Sequence, residues 1–148
     1  MKTAIIYASV HHKNTEKLVS AIAAKHPDID LIDATKTVLK SLEDYDLIGI
    51  TSGIYFSKFH KSVIQFISEN LPAHKKTFVM YTCGSEQSVY LKNITNLISS
   101  KGSAVIGSYS CLGFDTFGPF KLVGGLQKGH PTGDEIEKAV NFYEDLIK

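Results

Sequence analysis

The sequence has little of what marks several specialised classes of protein. Its two cysteines among 148 residues are too few for a disulfide framework, and their spacing matches no zinc-binding pattern. A formal net charge of +1 leaves no basic stripe for a nucleic-acid backbone, so we expect no nucleic-acid partner. No apolar run approaches the roughly 20 residues that span a bilayer, and the N-terminus turns polar too early for a secretory signal. We therefore expect a cytoplasmic protein without an integral membrane segment.

The composition is instead typical of a globular protein. With 43% apolar and 21% charged residues, the chain is long enough to bury a substantial core as a single domain, 1–148. It contains no internal repeat, linker or low-complexity segment. These features restrict the size and class of the fold but select no function.

Short apolar runs alternate with segments of helical spacing. The runs are apolar on both faces, as in strands inside a parallel sheet, and they occupy 3–8, 47–51, 78–83 and 104–111, with a weaker run at 30–34. The clearest helical pattern is the last, which Thr132 and Glu135 open as a capping box. The order βαβαβαβαβα predicts an α/β sheet with helices on both faces, in which residues 35–45 hold at most two or three helical turns.

One segment departs from this alternation. Residues 112–132 contain five glycines, two prolines and three phenylalanines between the fifth strand and the last helix. Loops of this length inside compact domains are uncommon and are usually functional or disordered. Because the phenylalanines argue against disorder, we expect a functional loop that covers something apolar.

The stretch YASVHHKNTEKLV, residues 7–19, joins the first strand to the first helix. The first N–H groups of a helix have no backbone partner, so a strand-to-helix turn at the centre of a parallel sheet favours an anion. Ser9 and Thr15 would flank that anion with hydroxyl donors, and Asn14 would support the turn. Alternatively, Asn14 or Thr15 only caps the helix. Adjacent His11 and His12 rarely face one metal, and they are equally compatible with a solvated surface.

The stretch resembles the phosphate loop of the flavodoxin family, in which a strand ends in Ser or Thr and GNT opens the helix. It is most similar to the branch whose loop is one residue longer, which includes the menaquinone-linked protoporphyrinogen oxidases. Three further stretches resemble family segments in the same order: 45–67, 78–88 and 113–142. The resemblance therefore covers essentially the whole chain.

The resemblance implies a flavodoxin-like fold, a doubly wound five-stranded parallel sheet of order 2-1-3-4-5 that binds FMN outside the carboxyl ends of its strands. The residues that would hold the phosphate are Ser9, Val10, His11, His12, Lys13, Asn14 and Thr15. Lys13 departs from the family, which usually has glycine there. A lysine at positive φ costs about 1 kcal/mol, although its ammonium adds a direct charge toward the phosphate.

The loop after the third strand would contact the flavin ring through Thr51, Ser52, Gly53, Ile54, Tyr55 and Phe56. The hydroxyls of Thr51 and Ser52 suit the polar edge of the ring, and Tyr55 or Phe56 suits its face. The Gly53 carbonyl would turn toward flavin N5 when that atom gains a proton, because a residue without Cβ rotates easily. Alternatively, Gly53 only ends a strand and the two aromatics pack beneath the long loop.

The loop after the fourth strand would meet the pyrimidine end of the ring through Thr82, Cys83, Gly84 and Ser85. Backbone N–H donors there would act on the negative charge that grows on reduction. Cys83 and Cys111 end neighbouring strands. They are either a redox pair with the flavin or, more commonly for such residues, buried reduced thiols.

Cations would surround the cofactor on this reading, namely His11, His12, Lys13, Lys58, His60 and Lys61. Electron-carrier flavodoxins are usually acidic. We therefore expect a less negative potential for the second electron than in acidic carriers, and partners that are not basic. Alternatively, these charges are merely scattered and solvated.

Three functions are compatible with these residues. The first is an FMN-binding redox protein that transfers electrons between a reductase and an acceptor, either a partner protein or a small organic molecule. The second is an FMN-dependent oxidoreductase that acts on a quinone or a porphyrinogen. The long aromatic loop 112–132 favours this function. The third is a cofactor-free binding module on the same fold. The replacement of the family's usual glycine by Lys13 is compatible with this function. A fold alone does not determine which of these is correct.

Overall fold

The computed structural model describes residues 1–9, 13–113 and 129–148. Ten helices and strands follow one another in these parts of the chain: β1 Thr3–Ala8, α1 Asn14–Lys25, β2 Asp30–Asp33, β3 Leu47–Tyr55, β4 Lys58–Phe59, α2 Lys61–Asn70, β5 Lys76–Cys83, α3 Ser88–Ser100, β6 Ala104–Leu112 and α4 Gly133–Leu146. The five apolar runs of the sequence thus correspond to β1, β2, β3, β5 and β6.

These five strands form one parallel sheet in the order β2-β1-β3-β5-β6. The predicted order 2-1-3-4-5 is confirmed, because the labels differ only through the two-residue strand β4, which pairs antiparallel with the end of β3. Strand β1 lies between β2 and β3, so the chain reverses its direction of winding beside β1. In open α/β sheets, ligands bind at that reversal, outside the carboxyl ends of the strands.

Among the described residues, two helices cover each face of the sheet, which confirms the prediction of helices on both faces. Buried side chains of α1 and α4, such as Leu18 and Val140, share one core cluster with Phe78 of the sheet. Buried side chains of α2 and α3, such as Phe66 and Ile98, belong to a second cluster on the opposite face. We call these the α1/α4 face and the α2/α3 face.

The connection between β2 and β3 differs from the predicted alternation, because residues 34–46 form turns and no helix. Asp33 starts this connection by accepting hydrogen bonds from the backbone N–H and the hydroxyl of Thr35 at 2.9 and 2.6 Å. Such local bonds compete with helix formation. Lys75 then holds the far end by donating to the carbonyls of Glu43 and Tyr45.

The predicted capping box at the start of α4 is confirmed. The Thr132 hydroxyl accepts from the backbone N–H of Glu135 at 3.2 Å, and the Glu135 carboxylate accepts from the backbone N–H of Thr132 at 2.9 Å. Among the helices of the described residues, none has the length and apolar character that crossing a membrane takes. Most of the loop predicted at 112–132 lies outside the described residues, which omit 114–128.

Candidate functional site

The carboxyl ends of four parallel strands meet at one edge of the sheet. The residues predicted to bind the cofactor either follow these ends or, as in 51–55 of β3 and 82–83 of β5, are the last residues of the strands themselves. Strand β1 ends at Ala8, β3 at Tyr55 and β5 at Cys83, and the neighbouring strand β6 ends at Leu112. The structure therefore brings the three predicted loops together. Val10, His11 and His12 lie outside the described residues, whereas half-buried Ser9 ends the described part of the first loop.

Helix α1 begins with a left-handed residue. Lys13 occupies the N-cap with φ 53° and ψ 37°, a left-handed conformation that costs a non-glycine residue about 1 kcal/mol. Its side chain has no acceptor atom and makes no capping hydrogen bond. It is 72% exposed, with Nζ 3.9 Å from Glu16 Oε2. The N-terminus of α1 thus combines helix amides, which favour an anion, with an exposed lysine that lies near the Glu16 carboxylate.

Asn14 and Thr15 lie inside the first turn of α1, so neither occupies the cap position that one reading of the sequence assigned to them. Thr15 is completely buried, and its Oγ1 lies 3.1 Å from Oγ1 of Thr82 at the end of β5. The Asn14 side chain lies against Gly113, where a Cβ would come within 2.7 Å of Asn14 Nδ2. These contacts support the turn, as expected of Asn14, by joining α1 to the ends of β5 and β6.

The hydroxyls of Thr51 and Ser52 are directed into the protein. Thr51 Oγ1 donates to the Ile6 carbonyl at 2.9 Å, and Ser52 Oγ donates to the Gly53 carbonyl at 2.5 Å. Both side chains are completely buried, and each hydroxyl has a single proton to donate. The structure therefore differs from the expectation that these two hydroxyls bond the polar edge of a flavin.

Beyond Gly53 the chain forms a tight β-hairpin, in which Ile54 pairs with Phe59 and Tyr55 pairs with Lys58. Strand β3 continues to Tyr55, so Gly53 does not end it, contrary to one reading of the sequence. The two turn residues, Phe56 and Ser57, have φ of 50° and 64°, as the favoured two-residue hairpin turn demands, although glycine and asparagine are its usual residues. Strain of this kind in an ordered structure often accompanies function.

The two aromatic residues of the hairpin have different surroundings. Phe56 stands at the tip and is 81% exposed. Tyr55 packs edge-on against the His60 ring at 5.1 Å, and its hydroxyl would lie 3.1 Å from a Cβ at Gly53. Of the two residues predicted to lie on the flavin face, Phe56 is therefore the more accessible to a ligand.

His60 connects the hairpin to helix α2. Its backbone N–H donates to Ser52 Oγ at 2.9 Å, and its Nδ1 caps α2 by accepting from the Ser62 N–H at 3.1 Å. An accepting Nδ1 carries no proton, so the ring in this arrangement is neutral. Of the predicted cations, Lys13, Lys58 and Lys61 remain as exposed charges in the described residues.

The loop after β5 contains a cluster that sequence reasoning missed. The Glu86 carboxylate accepts hydrogen bonds from the Tyr81 hydroxyl, from Ser110 Oγ at 2.9 Å and from Cys83 Sγ at 3.6 Å. Burial, together with the bond to Glu86, raises the pKa of the Tyr81 hydroxyl above its ordinary value. Glu86 thereby places a negative charge beside buried Gly84 and exposed Ser85. No local sequence pattern predicts this cluster, because Ser110 belongs to β6 and is distant from Glu86 in the sequence.

Cys83 and Cys111 are free thiols on opposite faces of the sheet. Cys111 stands opposite Thr82 in the β5–β6 register, so Cys83, the next residue, points to the other side. Accordingly, Cys83 packs on the α2/α3 face and Cys111 on the α1/α4 face. The two thiols cannot form a disulfide in this arrangement, which overturns the redox-pair reading and favours buried reduced thiols.

The donor set at this edge fits FMN. A helix N-terminus with a lysine suits a phosphate, an exposed aromatic at a hairpin tip suits a flat ring, and a glycine-containing turn after β5 suits the polar end of that ring. Beside that turn, the Glu86 carboxylate contributes a negative charge.

Comparison with known proteins places the chain in a family. The family model described as a flavodoxin domain matches residues 4–100. An uncharacterized protein of Methanocaldococcus jannaschii is 41% identical over 150 residues, which cover 100% of this chain and 99% of the relative. A flavodoxin from the domain Archaea superimposes with a TM-score of 0.70 at 16% identity over 99% of both chains. The flavodoxin of Fusobacterium nucleatum, solved with flavin mononucleotide bound, superimposes with a TM-score of 0.65 at 15% identity over 100% of both chains. The chain belongs to the flavodoxin domain family.

Proposed function

We propose that this protein binds FMN at the carboxyl edge of its sheet and transfers electrons between a reductase and an acceptor. The observation that carries the proposal is the left-handed backbone of Lys13 at the N-terminus of α1. A lysine holds this conformation in spite of its steric cost, at a position where the resemblance to the flavodoxin family implies a glycine. Among the solved structures that share the fold, the Fusobacterium nucleatum flavodoxin is one with flavin mononucleotide bound.

FMN, when bound, supplies one- and two-electron transfer. The backbone amides at the start of α1 would hold its phosphate, with the Lys13 ammonium close by. Phe56 would cover the ring, and the backbone of Gly84 and Ser85 would face its polar end. The Gly53 carbonyl accepts a hydrogen bond from the Ser52 hydroxyl, so this bond would have to break before the carbonyl could turn toward flavin N5.

The first test is the visible spectrum of the purified protein, which we expect to be yellow. If it is colourless, micromolar FMN should be quenched on addition and should raise the melting temperature. A protein that neither carries nor takes up FMN would contradict the proposal and favour the cofactor-free binding module.

A second test isolates the phosphate. Lys13→Gln should weaken FMN binding by about fivefold, the effect of one exposed ion pair, while leaving riboflavin binding unchanged. Lys25→Gln, an exposed lysine at the other end of the same helix, is the matched control. Equal weakening of FMN and riboflavin would show that Lys13 does not act on the phosphate.

The exposed lysines also support a proposal about potential. Lys13, Lys58 and Lys61 place positive charge around the edge, which stabilises an electron added to the flavin. We expect the second one-electron potential to be less negative than in acidic carriers, and acceptors or partners that are not basic. A redox titration that gives a very low second potential would contradict this.

A second candidate function is the oxidation or reduction of a quinone or a porphyrinogen. The observation that favours it is a cavity of about 740 Å³ lined by Tyr55, Phe56 and their neighbours on α2, which directly adjoins the proposed ring site. Turnover with either compound would distinguish this function from electron transfer to a protein.

A further inference from the structure

The loop that joins β5 to α3 lacks the backbone bonds that hold regular structure in place. Cys83 closes β5, and its carbonyl accepts from the Gly113 N–H at 2.9 Å. Beyond that point, no backbone–backbone hydrogen bond within the described residues involves 84–86. Helix α3 then begins behind Gln87, which makes no side-chain capping hydrogen bond. In the described part of the chain, the loop is therefore held by neither a strand ladder nor a helix cap.

The Glu86 carboxylate supplies an attachment of another kind. It accepts hydrogen bonds from the Tyr81 hydroxyl, from Ser110 Oγ at 2.9 Å and from Cys83 Sγ at 3.6 Å. Tyr81 and Cys83 belong to β5 and Ser110 belongs to β6, so one side chain ties the loop to two strands. Burial, together with the bond to Glu86, raises the pKa of Tyr81, so the phenol keeps the proton that it donates. We call these four residues the Glu86 clamp.

The Glu86 clamp fixes the two residues that precede Glu86. Gly84 and Ser85 lie between Cys83, the last residue of β5, and Glu86, so both ends of this dipeptide are attached to the sheet. Within the described residues, the Gly84 and Ser85 N–H groups have no backbone acceptor. Amide groups that are already held in place can bond a polar ligand without first being ordered, which improves affinity.

We infer that Glu86 is a positioning residue of the flavin site: it holds residues 84–87 against β5 and β6 and thereby presents the Gly84 and Ser85 amides to the polar end of the ring. The inference rests on the proposed function, which supplies the flavin. Because Glu86 is exposed, water competes for its carboxylate, so we expect its removal to weaken binding rather than abolish it. Glu86 acts on the ring, whereas Lys13 acts on the phosphate.

The experiment measures the affinity of the full chain for FMN and for riboflavin by fluorescence quenching. Glu86→Ala should weaken the binding of both flavins by about tenfold, because both carry the ring that the loop faces. Lys13→Gln, in contrast, should weaken the binding of FMN alone. Glu69→Ala, which removes a carboxylate at the far end of α2, is the matched control and should change neither affinity. Far-ultraviolet circular dichroism confirms the fold of each variant.

A conservative variant separates position from charge. Glu86→Gln keeps an acceptor oxygen for the clamp but loses the negative charge, so it should recover most of the affinity, to within about threefold of the parent. The visible circular dichroism of the bound flavin, which reports the surroundings of the ring, should change in Glu86→Ala and not in Glu86→Gln. If Glu86→Gln binds both flavins as weakly as Glu86→Ala, charge rather than position is responsible and the inference is wrong.

Tyr81 tests the clamp from the side of the sheet. Tyr81→Phe removes the donated proton and keeps the ring that packs against Phe59 and Tyr90. It should weaken the binding of both flavins by about threefold in the parent and have no further effect in Glu86→Ala, because both substitutions break the same bond. Losses that simply add in the double variant would show that Tyr81 does not act through Glu86.

The order of the loop can be measured without flavin, by NMR relaxation of the backbone amides. The Gly84 and Ser85 amides should be rigid in the parent and in Glu86→Gln, and mobile on the picosecond-to-nanosecond timescale in Glu86→Ala. Equal order in Glu86→Ala and the parent would contradict the clamp.

The two proposals fail in different ways. A protein that takes up neither FMN nor riboflavin would refute the proposed function and, with it, the role of Glu86 toward the ring. A yellow protein whose Glu86→Ala variant binds both flavins as tightly as the parent would retain the proposed function and refute the role of Glu86 alone.

Discussion

The two faces of the sheet are built differently. On the α1/α4 face, Phe78 packs against Phe142 and Tyr143 with ring centroids 6.0 and 5.8 Å apart, and Gly49 makes room for it. On the α2/α3 face, the hairpin and the two helices leave a groove. Packed aromatic rings thus fill the α1/α4 face, whereas the α2/α3 face has open cavities beside the hairpin and between its two helices.

The same contrast holds for the polar groups at the carboxyl edge. On the α1/α4 face, the hydroxyls of Thr15 and Thr82 bond each other out of reach of water. On the α2/α3 face, the exposed Glu86 carboxylate accepts hydrogen bonds from Tyr81, Ser110 and Cys83. A buried pair holds one geometry, because breaking it leaves an unsatisfied group, whereas an exposed carboxylate can exchange its partners for water.

The largest expected effect comes from closing the space beneath Phe78. A Cβ at Gly49 would lie 2.3 Å from the end of that buried ring, so Gly49→Ala should lower the free energy of unfolding by roughly 2–3 kcal/mol. Urea unfolding measures this. Gly133→Ala, where a Cβ meets nothing within 4 Å, is the control and should not destabilise. Equal stabilities of the two variants would show that the α1/α4 face is not tightly packed.

The next effect is the loss of the buried hydroxyl pair. Thr15→Val leaves the Thr82 hydroxyl without its partner and should cost about 2 kcal/mol of unfolding free energy, again by urea unfolding. Thr15→Ser keeps a hydroxyl and should cost less. Thr15→Val/Thr82→Val removes both groups and should recover part of the loss. A double variant as unstable as the sum of the single ones would contradict the pairing.

A substitution in the hairpin turn should instead raise the free energy of unfolding. Ser57 has φ 64°, so Ser57→Gly should relieve strain and raise the free energy of unfolding by about 1 kcal/mol. Ser57→Ala keeps a Cβ and should bring no such gain. Thermal unfolding of the three proteins compares them. A Ser57→Gly protein no more stable than Ser57→Ala would place the strain elsewhere.

The smallest expected effect concerns the cysteines. Burial raises the pKa of the Cys111 thiol to about 12, so the reactive thiolate should stay scarce as the pH rises from 7 to 10. We expect slow alkylation by iodoacetamide over this range and no intramolecular disulfide after diamide, both measured by mass spectrometry. Cys83→Ser should leave the labelling of Cys111 unchanged. A Cys83–Cys111 disulfide formed by the folded protein would contradict their separation by the sheet.

Much of the fold could be predicted from the sequence because its signals are local. Apolar runs such as 3–8 and 78–83 became the central strands, and the Thr132–Glu135 pattern became a capping box. The connection 34–46 was harder, since Asp33 there replaces helical hydrogen bonds with bonds to Thr35. The hairpin turn was not predictable, because Phe56 and Ser57 are not residues that usually adopt positive φ.

Of the candidate site, the sequence by itself determined which strands end at the carboxyl edge, because strand ends and helix starts follow from local patterning. It also located the exceptional residue, Lys13, although only the structure shows its φ of 53°. Tertiary structure alone decided that Thr51 and Ser52 turn inward, that the two cysteines lie on opposite faces and that Glu86 gathers three donors. These outcomes depend on which residues of other strands and helices lie opposite, and contacts between distant parts of the chain leave no periodic trace in the sequence.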